Sequence, residues 1–254
     1  MRYLYIFPHP DDESFGPAAA MAQQVRTGSE VHLLTLTRGG ATKRRFDLGL
    51  SIEEMGLTRY REMLDVERVL GLTSMTVLDL PDNGLKELDP RDLEAIVREH
   101  ILRLRPDIVV SYAVFGVSGF EDHLVTHAIV KRVYVELRDE HASWLRRLAM
   151  FTLSADDPIA KGSPFGLRGS RPEEIDCVLT VEPEDLEALH RALDCYVTYQ
   201  PMIERSKVRE IITREVSFEI FGEDHTPPLG SLDEALDRAS GVARGAAPDE
   251  ALDD

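Results

Sequence analysis

Four short apolar runs, at 3–7, 31–36, 75–80 and 108–112, alternate along the chain with stretches of helical spacing. Each run is long enough for a strand buried on both faces, and each lacks the polar alternation of a strand that faces water on one side. The intervening stretches carry helix stops where a chain must turn back to a strand: 18–27 ends at Gly28, 58–70 at Gly71, and 92–104 just before Pro106. Strand and helix in alternation predict an α/β fold, a Rossmann-like, doubly wound and mainly parallel sheet with helices on both faces. Further on, 148–153 is another apolar run and 175–181 and 215–221 read as strands, while 184–196 and 201–212 have helical spacing. These predict a small carboxyl-terminal subregion packed on the sheet. With 254 residues the chain suits one large domain, here 1–234. From 235 to 254 it is rich in Ala, Gly, Asp and Glu and poor in aromatics, which predicts a flexible tail.

The formal charge of −17 repels phosphate backbones, so nucleic acid is not an expected partner. Lys43, Arg44 and Arg45 form the one compact basic cluster, read as a solvated loop or as a contact for a small anionic feature or another subunit. No apolar run approaches the roughly 20 residues of a membrane span, and the amino terminus does not read as a signal segment. A cytoplasmic location is the expectation, and homo-oligomerisation stays open. Cys177 and Cys195 are too few and too far apart for a disulfide framework and read as reduced and buried.

Directly after the first apolar run stands Pro-His-Pro-Asp-Asp-Glu-Ser-Phe-Gly, residues 8–16. Ligands of open α/β sheets collect at the carboxyl ends of the strands, so His9, Asp11, Asp12 and Glu13 lie where a site belongs. Three adjacent carboxylates repel one another unless a cation or solvent accommodates them. A His and an Asp two residues beyond its neighbour can reach one zinc, leaving the acid beside them to handle a proton. A second group, Gly-Phe-Glu-Asp-His-Leu-Val-Thr-His at 119–127, follows the fourth strand and opens a helix. His123 completes a His, Asp, His set with His9 and Asp12, the three-ligand pattern of a catalytic zinc with an open position. Asp122 is placed to orient an imidazole or tune a neighbouring acid. His127 shares the helical face of His123, either in the site or packed away from it.

Together these motifs resemble the zinc-dependent N-deacetylases of the PIG-L and LmbE type, which include the N-acetylglucosaminyl-phosphatidylinositol, mycothiol and bacillithiol pathway enzymes. The resemblance covers most of 1–135: Pro8 to Glu13 matches the leading motif, Thr35 to Gly39 follows the second strand, Arg59-x-x-Glu62 fits a helix pattern, and Leu80-Pro-Asp-Asn-Gly resembles a substrate-side loop. It implies a zinc ion, or another divalent cation, on His9, Asp12 and His123, with Asp11 as general base and Arg59 and Asp82 toward the substrate. Glu13 would support the loop. The implied activity is hydrolysis of an acyl group, acetyl foremost, from a small N-acylated amine such as an amino-sugar conjugate. The family's second motif resembles His-Pro-Asp-His, whose first histidine serves as acid or oxyanion partner. Phe120 stands there in this chain and can do neither, which leaves His127 and His225 as candidate replacements, or a chemistry that relies more on the metal.

Two other classes remain on the sequence: a metal-dependent hydrolase of an ester or phosphate, and a noncatalytic metal-dependent carbohydrate- or metabolite-binding protein, which Phe120 favours. A dinucleotide-binding oxidoreductase is disfavoured, because no Gly-x-Gly-x-x-Gly turn follows the first strand.

Overall fold

The computed structural model describes residues 1–157, 161 and 165–236. Its centre is a seven-stranded sheet in the order β3-β2-β1-β4-β5-β7-β6. Here β1 is Arg2–Phe7, β2 Glu30–Thr37, β3 Ser74–Leu80, β4 Ile108–Tyr112, β5 Arg147–Thr152, β6 Cys177–Thr180 and β7 Glu215–Ile220. The first five strands are parallel, and β7 and β6 continue the sheet antiparallel beyond β5. The carboxyl-terminal subregion therefore extends the sheet as well as packing on it.

Side chains alternate across β1 with the period of a strand. Tyr3, Tyr5 and Phe7 enter one core and Leu4 and Ile6 the other. The first core is covered by helices α1 (Ala18–Arg26), α3 (Ile52–Leu70) and α6 (Pro183–Cys195), the second by α4 (Pro90–Leu104) and α5 (Glu121–Asp139). Leu4, Ile6, Leu33 and Leu34 are 2% exposed or less, and burying each such side chain contributes roughly 1.5–3 kcal/mol. Tyr3↔Ile108 and Tyr5↔Val110 pair β1 with β4, so the loops after these two central strands emerge side by side.

The helices differ from the sequence expectation where polar surface masked the signal. α3 begins at Ile52, six residues earlier than the periodicity indicates, because Ser51 and Glu54 close a reciprocal capping box that fixes its first turn. The basic cluster lies at the short helix α2 (Arg44–Leu48), which buries none of its residues and so shows no amphipathic pattern. The stretch 201–212 is two helices, α7 (Gln200–Ser206) and α8 (Val208–Ile211), divided at Lys207, whose φ of 55° breaks the ladder. Cys177 is buried, whereas Cys195 is partly exposed; burial pushes its thiol up to about 11, so it stays protonated and inert at neutral pH. The expected tail lies outside the described residues from 237 onward, while Leu236 still packs against the first core.

Candidate metal centre

β1 ends at Phe7, and the chain continues through Pro8 and His9 into a tight turn. Pro8 accepts the amide of Thr37, which carries β1–β2 pairing one step past the strand and fixes the start of the loop. At Asp11 the backbone takes a φ of 84°, a region that costs a residue with a side chain on the order of 1–3 kcal/mol. Two contacts hold it there: the Asp11 amide donates to the Tyr196 hydroxyl at 2.8 Å, and Arg59 bonds the Asp11 carboxylate at 2.6 Å. The strained turn sends Asp11 and Asp12 in different directions, Asp11 toward Arg59 and Asp12 toward β4.

From β4 the loop 113–119 leads into α5, and His123 lies in the first turn of that helix. Its Nδ1–H donates to the Gly116 carbonyl at 2.9 Å, which turns the Nε2 lone pair inward. Only glycine serves at 116, since φ is 59° and an added Cβ would stand 2.6 Å from the His123 Cβ. The Tyr112 ring stacks on the His123 ring, with centroids 4.4 Å apart and planes at 9°.

His9, Asp12 and His123 converge as the sequence predicts. His9 Nδ1 lies 3.2 Å from His123 Nε2 and 3.6 Å from Asp12 Oδ2, and His123 Nε2 lies 3.3 Å from Asp12 Oδ1. Tetrahedral coordination with bonds of about 2.1 Å sets neighbouring donors about 3.4 Å apart, so these three side chains fit a divalent cation without rearrangement. Two inward-facing imidazole nitrogens at this distance also require a proton or a cation between them. In the metal-free protein a proton takes that place. Burial opposes charge on His9, but hydrogen bonds to Asp12 and Asp122 and the charges of Asp12 and Asp82 outweigh it and push its pKa up to about 10. Asp12 is buried yet held well below the usual carboxylate range by His123 and His9. Both its oxygens are engaged: the His9 amide donates to Oδ2 and the Tyr112 hydroxyl to Oδ1, each at 2.8 Å.

Asp82 and Asp122 approach the far nitrogen of His9, with Nε2 at 3.3 Å and 3.1 Å from their oxygens. These residues and His9 form a second grouping able to hold a cation. Both carboxylates already serve other donors, however, Asp82 the Ala41 amide and Asp122 the amides of Asn83 and Leu85. They hold the His9 Nε2–H outward and leave Nδ1 for the first set. Asp82, expected toward the substrate, lies against the His9 imidazole, as Asp122 does.

Arg59 is 3% exposed. Besides Asp11 it bonds the carbonyls of Pro10 and Gly39, and its guanidinium lies 4.2 Å over the Tyr199 ring. Its charge is spent on the turn, so it orients Asp11 and does not project outward. Asp11 is pushed up to about 7 by burial, countered by Arg59 and reinforced by Asp12 and Glu13. Glu13 is fully buried beneath them and takes hydrogen bonds from Tyr196 at 2.6 Å and Ser14 at 2.7 Å, supporting the loop.

Both proposed replacements for the family's first histidine have hydrogen-bond partners outside the donor set. His127 Nδ1–H is committed to the Tyr112 carbonyl at 2.9 Å. His225 pairs with Glu223 at 2.7 Å, and Glu223 binds Arg147 at the start of β5, the opposite edge of the sheet. Phe120 occupies the cap position of α5, 58% exposed, with its ring edge-on to His123 at 5.6 Å. Tyr112 and Tyr196 were not singled out by the sequence, where nothing distinguishes a tyrosine that braces a site from one that fills a core.

Residues 4–134 match the model of the PIG-L family, GlcNAc-PI de-N-acetylase. The chain is 29% identical over 161 residues to the 1D-myo-inositol 2-acetamido-2-deoxy-alpha-D-glucopyranoside deacetylase of Kineococcus radiotolerans, a stretch covering 53% of this chain and 45% of that relative. The chain thus spans less than half the length of this curated relative. Among solved structures, a deacetylase of teicoplanin biosynthesis superposes with a TM-score of 0.67 over 87% of this chain and 97% of that one, at 15% identity. The 4-carboxy-2-hydroxymuconate hydratase of Pseudomonas putida KT2440 shares the fold equally well, with a TM-score of 0.64 over 87% and 96% at 13% identity.

Proposed function

The chain belongs to the PIG-L, GlcNAc-PI de-N-acetylase family, and from that membership we propose that it is a metal-dependent hydrolase that removes an acyl group, acetyl foremost, from a small N-acylated amine such as an amino-sugar conjugate. The observation that carries this reading is the juxtaposition of a two-nitrogen, one-carboxylate donor set on His9, His123 and Asp12 with a separate carboxylate, Asp11, of raised pKa. Zinc is the cation that such donors favour. Bound there, it supplies Lewis acidity toward a carbonyl and toward a water.

The protein's own part follows from its contacts. Asp11 takes the proton of the attacking water at the oxygen that Arg59 leaves free, since Arg59 Nη2 holds Oδ2. With the family's acid histidine replaced by Phe120, Asp11 also returns that proton to the departing nitrogen, one carboxyl serving as base and then as acid. A pKa near neutrality suits both tasks, because the group is ionised to accept and acidic enough to give. Asp82 and Asp122 hold His9, and Tyr112 holds Asp12 and His123.

The fold also hosts a hydratase, so the test separates the chemistries. Metal content is measured together with amine release from a panel of N-acylated amines, beside ester, phosphate and enol-acid substrates. The expected outcome is one equivalent of metal and turnover of amides alone. Asp11→Asn should keep the metal and lose roughly 100- to 10,000-fold in turnover; a variant that hydrolyses normally removes Asp11 as the base.

A further inference from the structure

Phe120 does nothing for the stability of the helix it begins. A helix cap ordinarily carries Ser, Thr, Asp or Asn, whose oxygen takes an orphan amide, and Phe120 makes no such bond. Nor is its ring buried, at 58% exposure. A large aromatic that supplies no cap and stays more than half exposed, set edge-on 5.6 Å from the His123 ring, is an apolar surface bordering the candidate metal site. It is not alone. Leu124, one turn along the same face of α5, is 40% exposed, and Val114, just past β4 on the same edge of the sheet, is 53% exposed.

We propose that Phe120 is a specificity-determining residue and that the substrate carries an apolar, aromatic substituent directly on the scissile amide. This rests on the hydrolase reading above and narrows its substrate class. The distance sets the position of the substituent. A carbon attacked beside His123 lies within a few bonds of the Phe120 ring, so a group bonded to the amide is the one best placed to pack against it. The ring offers offset or edge-to-face stacking to an aryl group and nothing to a hydroxyl. A methyl substituent, as in acetyl, is too small to cover it.

Hydroxamates test this through binding, without turnover. The zinc-loaded protein is titrated calorimetrically with acetohydroxamate, benzohydroxamate and N-phenylacetohydroxamate; the last two place the aryl group on the acyl side and on the amine side. One aryl probe should bind roughly tenfold more tightly than acetohydroxamate, and the preference should vanish in Phe120→Ser, whose serine caps α5 and keeps the helix formed. Equal binding of all three probes, or a preference that survives in Phe120→Ser, overturns the aryl assignment while leaving the metal reading intact. Failure of every probe to bind, with zinc present, overturns both. Sedimentation of wild type and Phe120→Ser completes the test. A substitution that converts a dimer to a monomer assigns the ring to a subunit interface and overturns the proposal.

Discussion

Tyr112 shows how much of the centre depends on residues that never meet a cation. Its hydroxyl occupies one oxygen of Asp12 and its ring lies flat on His123, so a single side chain aligns two of the three donors. Tyr112→Phe keeps the stacking and removes the hydrogen bond; metal affinity should fall about 10- to 100-fold, read by chelator competition, with the far-ultraviolet circular dichroism unchanged. The donors themselves were legible in the sequence because chemistry restricts them: a histidine and adjacent carboxylates at a strand end have few structural uses. Tyr112, Tyr196 and Gly116 were not, since tyrosines and glycines occur throughout such chains and their roles exist only once distant segments meet. Arg59 and Asp82 were legible as residues of the site, and the structure adds the contacts they make, with Asp11 and with His9. A family motif marks a position, and only the packing shows which neighbour the charge answers.

At the scale of elements, strands were read more faithfully than helices, for a physical reason. A strand buried on both faces must be mostly apolar, as 108–112 is apart from Ser111, whose hydroxyl donates to the Ile6 carbonyl, whereas a helix reveals itself only through the stripe it buries. α2 buries nothing and the first turn of α3 is exposed, with Met55 and Gly56 the first residues it buries, so that helix and that start had little signal beyond their caps. The caps do carry energy. Ser51→Ala removes the side-chain half of the α3 capping box and should cost about 1 kcal/mol, a lowering of melting temperature by roughly 2–4 °C. Because the Ser51 side chain is exposed and serves the first turn of α3 rather than a metal donor, zinc affinity should not change, which makes Ser51→Ala a control for Tyr112→Phe. The antiparallel pair β7 and β6 was legible as strands but not in its order, which depends on register across segments far apart in sequence.

For the molecule as a whole, the proton and the cation compete for one place, and this links stability, pH and metal. The folded-state pKa of His9, about 10, lies above its ordinary 6.5, so the metal-free fold binds the proton more strongly than the unfolded chain does. That contribution is fully present below about pH 6.5 and is lost as pH rises toward 10. The melting temperature of the metal-free protein should therefore fall between pH 7 and pH 10, and the zinc-loaded protein should escape this particular loss. Calorimetric titration at pH 7.5 in buffers of different ionisation enthalpy should find about one proton released per metal bound; release of none means that His9 is neutral beforehand. The donors also lie 114 residues apart along the chain, His9 in the first loop and His123 beyond the fourth strand. During synthesis the opening segment emerges with only half of a coordination sphere. On the proposed site all three donors meet only once β4 lies beside β1, so metal uptake should mark, in time, the closing of the sheet's centre.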